Sequence, residues 1–270
     1  MTGGRTRLAP SPTGALHLGN ARTFLINWAL ARQQGWTIVL RIDDLDGPRI
    51  KAQAAHDAIE TLRWLGMTWD EGPYFQSHDL APYQTALQKL IGDGSAYPCR
   101  CTRGEIHATS LSAPHADQHE SRYPGTCRPV PGQSVDKAAG PSFGWRLIVP
   151  EGSVDVEDEF APRRAVDVQA EVGDFLIYTK GGLPSYQLAV VVDDARQGID
   201  RIVRGDDLQT SVQRQCLIRD RLGMSPRPAY WHLPLVRGID GQRLAKRHGD
   251  TRISFYRSLG VSPDSIRGLL

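Results

Sequence analysis

The chain of 270 residues is 40% hydrophobic and 23% charged, enough apolar matter for one large domain or two small ones, which excludes a disordered chain. No stretch approaches the roughly 18 uninterrupted apolar residues of a membrane span. The opening MTGGRTRLAPSP has no apolar run fit for a signal peptide, so a cytoplasmic protein is expected. Net charge is +2, but unevenly spread: residues 195–270 hold 14 basic and 7 acidic side chains, residues 1–194 hold 18 and 23. A basic C-terminal third can attract phosphate or nucleic acid, or form an ordinary solvated surface.

In chain order, residues 5–9 predict a short strand and PSPTG (10–14) a loop. A helix follows from Leu18, with Ala21, Leu25 and Trp28 at helical spacing and Gly35 as its stop. Residues 36–42 read as a buried strand. Residues 51–65 read as a helix with Ala52, Ala55, Ile59 and Leu62 on one face, closed by Gly66. Ser77 is placed to cap a further helix through Leu90. Alternation of strand and helix predicts an α/β fold with a parallel sheet.

The pattern breaks over 95–183, read as an inserted domain, and it resumes with the apolar run 186–192, read as a strand. A strand at 199–204 and a helix at 208–222 complete the pattern. The division expected is 1–94 for the first half of the α/β domain, 95–183 for the insertion and 184–235 for the second half. Residues 236–270 form a C-terminal segment with a Gly-flanked basic loop.

Two stretches suit nucleotide chemistry. In APSPTGALHLGNART (9–23) a loop opens a helix near His17, and a helix N-terminus offers N–H groups and partial positive charge to a phosphate. Gly19 lets a flat group approach the backbone, and His17 can donate to phosphate oxygens. GQRLAKRHG (241–249) can neutralise a leaving pyrophosphate, or be a solvated basic turn. Asp43, Asp44 and Asp46 taken alone read as an acidic loop after a strand, and Arg204 alone could pair with Asp206 or Asp207. No GxGxxG or GxxxxGK[ST] is present, which argues against a dehydrogenase or a P-loop NTPase.

Cys99, Cys101 and Cys127 fall within 29 residues, and Cys216 stands apart, read as a buried small hydrophobe. Three clustered thiols suit zinc, which takes four ligands. The alternative is three buried reduced thiols. By chemistry alone His107, His115 or His119 is a better fourth ligand than Tyr123.

Together these motifs resemble the signature pair of class I aminoacyl-tRNA synthetases. His17-Leu18-Gly19-Asn20 is similar to the HIGH motif, and Arg243-Leu244-Ala245-Lys246-Arg247 to KMSKS. RLAPSPTGALHLGNART, LRIDDLDGPR (40–49), LPSYQLAVVVDDA (183–195) and IVRGDDL (202–208) resemble the glutamyl branch in order. The resemblance implies a Rossmann-type sheet with an inserted zinc-containing domain. It implies His17 and Lys246 as catalytic residues. It implies Arg7, Ala9, Ser11, Asp43, Tyr186 and Arg204 around L-glutamate, with Arg7 and Arg204 on carboxylates and Asp43 on the amino group, where the family usually has Glu. His17, Gly19, Asn20, Arg243 and Lys246 would hold ATP with Mg²⁺.

A subgroup with Cys-x-Cys and Tyr-x3-Cys implies zinc on Cys99, Cys101, Tyr123 and Cys127. With 23 residues after Arg247, no anticodon-binding domain is expected. This resembles the truncated paralogues that attach glutamate to queuosine in the anticodon of tRNA(Asp), and the expectation is a monomer acting on that RNA. The rival expectations are a truncated conventional ligase charging a tRNA 3′ end, and an inactive tRNA-binding module.

Overall fold

The computed structural model describes residues 3–45, 50, 52–102, 104–106, 122–130, 132, 140, 142–237, 241 and 250–270. Strands β1 (Arg5–Leu8), β2 (Thr37–Ile42) and β3 (Glu71–Phe75) form a parallel sheet with β2 in the middle. Its crossovers are helices α1 (Leu18–Gln34) and α2 (Ala52–Trp64). Ile38, Val39, Leu40 and Ile42 are all fully buried, as a central parallel strand covered on both faces requires. The helix stop foreseen at Gly35 is a left-handed residue, φ +66°, whose N–H returns to the Ala31 carbonyl.

The chain continues through α3 (Ala81–Gly92), β4 (Ala96–Cys99), β5 (Gly144–Leu147), β6 (Ser153–Val156), β7 (Arg164–Asp167), the single turn α4 (Val168–Glu171) and β8 (Leu176–Tyr178). Strands β4, β5 and β8 make an antiparallel sheet, and β6 and β7 a hairpin. Helix α5 (Tyr186–Arg196), β9 (Arg201–Gly205), α6 (Val212–Leu222) and β10 (Ala229–Leu233) follow, with β9 and β10 paired in parallel. One core joins α3, β5 and β8 to α5 and α6 through Leu90, Leu147, Ile177, Leu188 and Ile218.

Strand β9 begins beside β1. The Asp200 N–H donates to the Arg5 carbonyl at 3.1 Å, and the Arg5 N–H to the Asp200 carboxylate at 2.6 Å. β1 therefore stands between β2 and β9, and the order of strand addition reverses there. In open α/β sheets the crevice at the carboxyl ends of such strands is where ligands bind. The last helices, α7 (Ile253–Ser258) and α8 (Pro263–Leu269), bury Ile253 and Ile266 in the core formed by β1, β2 and α2.

Three expectations are corrected. Residues 186–192 are the start of a helix, not a strand. Leu188 through Asp194 are all buried, so helical periodicity is erased, while the three valines imitate strand composition. Ser77 caps no helix: it lies in a 3₁₀ turn, Gln76–His78, and its N–H and hydroxyl both donate to the Asp44 carboxylate at 2.9 and 2.6 Å. The helix starts later, at Ala81, whose N–H is taken by Asp79 at 3.2 Å. The helix read at 208–222 opens as a 3₁₀ turn, Asp206–Ser211, before α6. Strand β3, EGPYF, was not foreseen, because Gly and Pro speak against a strand unless it lies at a sheet edge.

Candidate active site

A cavity of about 1310 Å³ opens at the carboxyl ends of β1, β2 and β9. Arg7, Ala9, Ser11, His17, Gly19, Asn20, Asp43, Tyr186 and Arg204 all line it. These residues come from four separated stretches of sequence. Arg243 and Lys246, also singled out, lie outside the described residues, as do His107, His115, His119 and Asp46.

His17 is the N-cap of α1. Its Nδ1 accepts the Asn20 N–H at 3.4 Å, which puts the proton of the neutral ring on Nε2. A side chain at Gly19 would have its Cβ 3.1 Å from the His17 ring, so glycine here makes room for the imidazole. Leu18 N–H donates to the Thr251 carbonyl, and Ile253 N–H to that of Leu16, both at 2.9 Å. These bonds fasten the segment just after the basic stretch 242–249 to the loop that carries His17. On the other side of that stretch, Leu235 and Val236 line the cavity.

Beneath the cavity floor lies a buried ionic group that sequence reasoning missed. Arg41, 1% exposed, bonds Asp43 through Nε at 2.7 Å and Asp194 through Nη1 at 2.8 Å, with Asp193 at 3.8 Å. Arg7 Nε stands 3.4 Å from the same Asp194 carboxylate. Asp193 is held further by Gln76 at 2.7 Å and by the Tyr83 hydroxyl at 2.9 Å. Burial pushes the Asp43 carboxyl above the usual carboxylate range despite Arg41. Burial acts on Asp194 in the same direction, but Arg41 and Arg7 outweigh it and hold that carboxyl below the range. Asp43 is thus no solvated loop residue. The available signal was the spacing Arg41-x-Asp43, which puts two charges on one face of a strand.

Arg204 pairs with neither Asp206 nor Asp207 through any described bond. Its Nε donates to His232 Nε2 at 3.0 Å and its Nη2 to the Leu208 carbonyl at 3.3 Å. His232 was also missed; a lone His in an apolar strand carries no signal by itself.

Away from the cavity, Cys99, Cys101 and Cys127 bring their sulfurs within 4.8 Å of one another. Cys101 and Cys127 are 3.6 Å apart, close to the ~3.8 Å that two thiolates take on a tetrahedral zinc. The Tyr123 hydroxyl is 3.4 Å from the Cys99 sulfur and 3.7 Å from that of Cys101. Arg146 Nε reaches the Cys99 sulfur at 3.2 Å, and its guanidinium lies over the Tyr123 ring. The three cysteines can hold a metal. Cys216, by contrast, is fully buried beneath β10.

The fold is that of a class I synthetase. The family model for the tRNA synthetases class I (E and Q), catalytic domain, matches residues 4–270, and the chain belongs to that family. It is a class I synthetase-like ligase. The glutamyl-Q tRNA(Asp) synthetase of Rhodopirellula baltica is 45% identical over 98% of this chain and 83% of its own length. The glutamate–tRNA ligase of Geobacter sulfurreducens is 39% identical over 98% of this chain but 56% of its own length. A glutamate tRNA ligase from Elizabethkingia meningosepticum, solved in complex with its amino acid, superposes with a TM-score of 0.75. It is 25% identical and is matched over 92% of this chain and 52% of that one. Among the described residues no helix is long and apolar enough to cross a membrane.

Proposed function

We propose that this chain joins L-glutamate to ATP without any tRNA and passes the glutamyl group to queuosine in the anticodon of tRNA(Asp). The observation that carries the first half is the convergence of Arg7, Asp43, Tyr186, Arg204 and His17 on one cavity at the N-terminus of α1. The second half is supported by relatives named glutamyl-Q tRNA(Asp) synthetase that this chain matches over more than four-fifths of their length.

In this reading Arg7 and Arg204 each take a glutamate carboxylate, since a planar guanidinium matches a carboxylate in two-point contact. Ala9 and Ser11 shape the floor. Asp43 faces the substrate ammonium, whose charge offsets that carboxyl's burial. Tyr186 closes the side of the pocket. An oxygen of the α-carboxylate attacks the α-phosphorus of ATP, the bond to the bridging oxygen breaks, and pyrophosphate leaves. His17 Nε2–H, the α1 N-terminus, Lys246 and Arg243 stabilise the charge on the phosphates, with Gly19 and Asn20 beside the nucleotide. Mg²⁺ enters with ATP. A hydroxyl of the queuosine cyclopentenediol then attacks the glutamyl carbonyl. AMP departs, and the hydroxyl proton passes to its phosphate. The work is positioning and electrostatics.

Glutamate-dependent ATP–pyrophosphate exchange in the absence of RNA is the test. Wild type should exchange, and Lys246→Ala should slow it roughly 10²–10³-fold with a smaller change in glutamate KM. Absence of exchange by the wild type would remove the reading.

Cys99, Cys101 and Cys127 would hold zinc with Tyr123 as the fourth ligand. The closed four-ligand site leaves no open position and supplies structure rather than chemistry. Elemental analysis of protein purified without added metal should find about one zinc per chain, lowered by Cys101→Ser. A well-folded wild type free of zinc would return the cluster to buried thiols.

A further inference from the structure

Arg204 and His232 are partners in the β9–β10 ladder, opposite one another in register. Their side chains lie on the same face, and both are buried, Arg204 5% and His232 1% exposed. Behind His232 lies Asp158, in the segment between β6 and β7. Its carboxylate accepts the backbone N–H of Ala161 at 2.7 Å, of Phe160 at 3.0 Å and of His232 at 3.2 Å, and it contacts His232 Nδ1 directly. Asp158 is therefore fixed by backbone before it meets the ring.

The donors and acceptors along this line permit one arrangement. An arginine Nε–H can only donate, so His232 Nε2 must accept. A neutral imidazole that accepts at Nε2 carries its proton on Nδ1, and that proton goes to the Asp158 carboxylate. Burial and the neighbouring Arg204 charge both disfavour imidazolium, in keeping with this tautomer. The contacts run in one direction, from guanidinium to imidazole to carboxylate. With the Nε edge of Arg204 held by His232 and one Nη2 donor by the Leu208 carbonyl, the remaining donors are left for the cavity that Arg204 lines. The ring of Tyr230, 5.7 Å from the guanidinium carbon, supports one flat face.

We propose that His232 and Asp158 are positioning residues that fix the orientation of Arg204 toward a carboxylate of the amino-acid substrate. The proposal rests on the cavity being the glutamate site. It assigns to Asp158, 46 residues before Arg204 in sequence, the task of setting the His232 tautomer. With Asn at 158 the amide could donate to Nδ1, the proton would move to Nε2, and two donors would then face each other at Arg204.

The experiment is steady-state ATP–pyrophosphate exchange with His232→Leu, His232→Gln and Asp158→Asn in the full chain, beside ¹⁵N-histidine spectra. His232→Leu should raise the glutamate KM tenfold or more, at roughly the scale of an ångström-level misplacement. The kcat and the ATP KM should stay near wild type. His232→Gln should recover most of the loss, because its amide can accept from Arg204 and donate to Asp158. Asp158→Asn should raise the glutamate KM and shift the ring from the Nδ1–H to the Nε2–H tautomer. A glutamate KM within twofold of wild type for His232→Leu, or equal rises in the glutamate and ATP KM, would overturn the proposal. If His232→Leu does not fold, an unchanged glutamate KM in Asp158→Asn does so instead. A wild type that exchanges nothing with glutamate would remove the glutamate reading. The spectra would still judge the relay by itself, and an Nε2–H tautomer in wild type would refute it.

Discussion

Arg41→Met should destabilise the folded chain by about 3–5 kcal/mol, the usual cost of removing one partner from a buried ionic group. Methionine fills much of the space but leaves Asp43 and Asp194, bonded to Arg41 at 2.7 and 2.8 Å, without their main counter-charge. Asp193 keeps Arg196 at 3.0 Å, Tyr83 and Gln76, so the damage falls on the other two carboxylates. Their pKa values in the folded variant must rise, so the native state then prefers them protonated. A carboxyl raised in the folded state loses stability as pH climbs from its unfolded value. The deficit of the variant relative to wild type should therefore widen between pH 5 and pH 8. Urea unfolding at both pH values checks this, and a deficit that is small or shrinks with pH would contradict it.

The second large effect is on activation. Arg7→Lys should lower kcat/KM for glutamate in the exchange reaction by roughly 10²–10⁴-fold, as expected when charge-assisted bonds to a carboxylate are lost. Lysine keeps the charge but offers a point where arginine offers a fork, so it should rescue little. Folding should suffer less than with Arg41→Met. Asp194 retains Arg41 at 2.8 Å, and among the described residues the Arg7 side chain makes a 3.3 Å bond to the Val203 carbonyl and a 3.4 Å contact to Asp194. Near-normal exchange by Arg7→Lys would detach Arg7 from the substrate.

Much of this was legible in the sequence, for identifiable reasons. Helix α1 announces itself because its ends are local events: His17 at the cap and a left-handed Gly35 at the stop. The cavity residues were legible only because the four stretches, taken together and in order, resemble one family. What escaped was everything that depends on burial from several sides. Helix α5 reads as a strand because neighbours cover all its faces and its valines carry no period. Arg41, Asp193 and Asp194 look like surface charges until the fold brings residues 153 positions apart within a hydrogen bond. His232 becomes meaningful only through the β9–β10 register that sets it opposite Arg204. Ser77 misled because its cap-like chemistry is spent on Asp44, in a loop contact that sequence spacing does not disclose.

The proposed acceptor is the part of the reading that separates this chain from the glutamate–tRNA ligases it also resembles. The direct measurement is transfer of labelled glutamate to an isolated tRNA(Asp) anticodon stem-loop, which has no acceptor end. With queuosine at the wobble position the stem-loop should become glutamylated, with marked salt dependence from phosphate contacts, and the same RNA with guanosine should not. An unlabelled queuosine stem-loop, alongside efficient charging of the 3′ end of intact tRNA(Glu), would contradict the proposal and mark a ligase of the conventional kind.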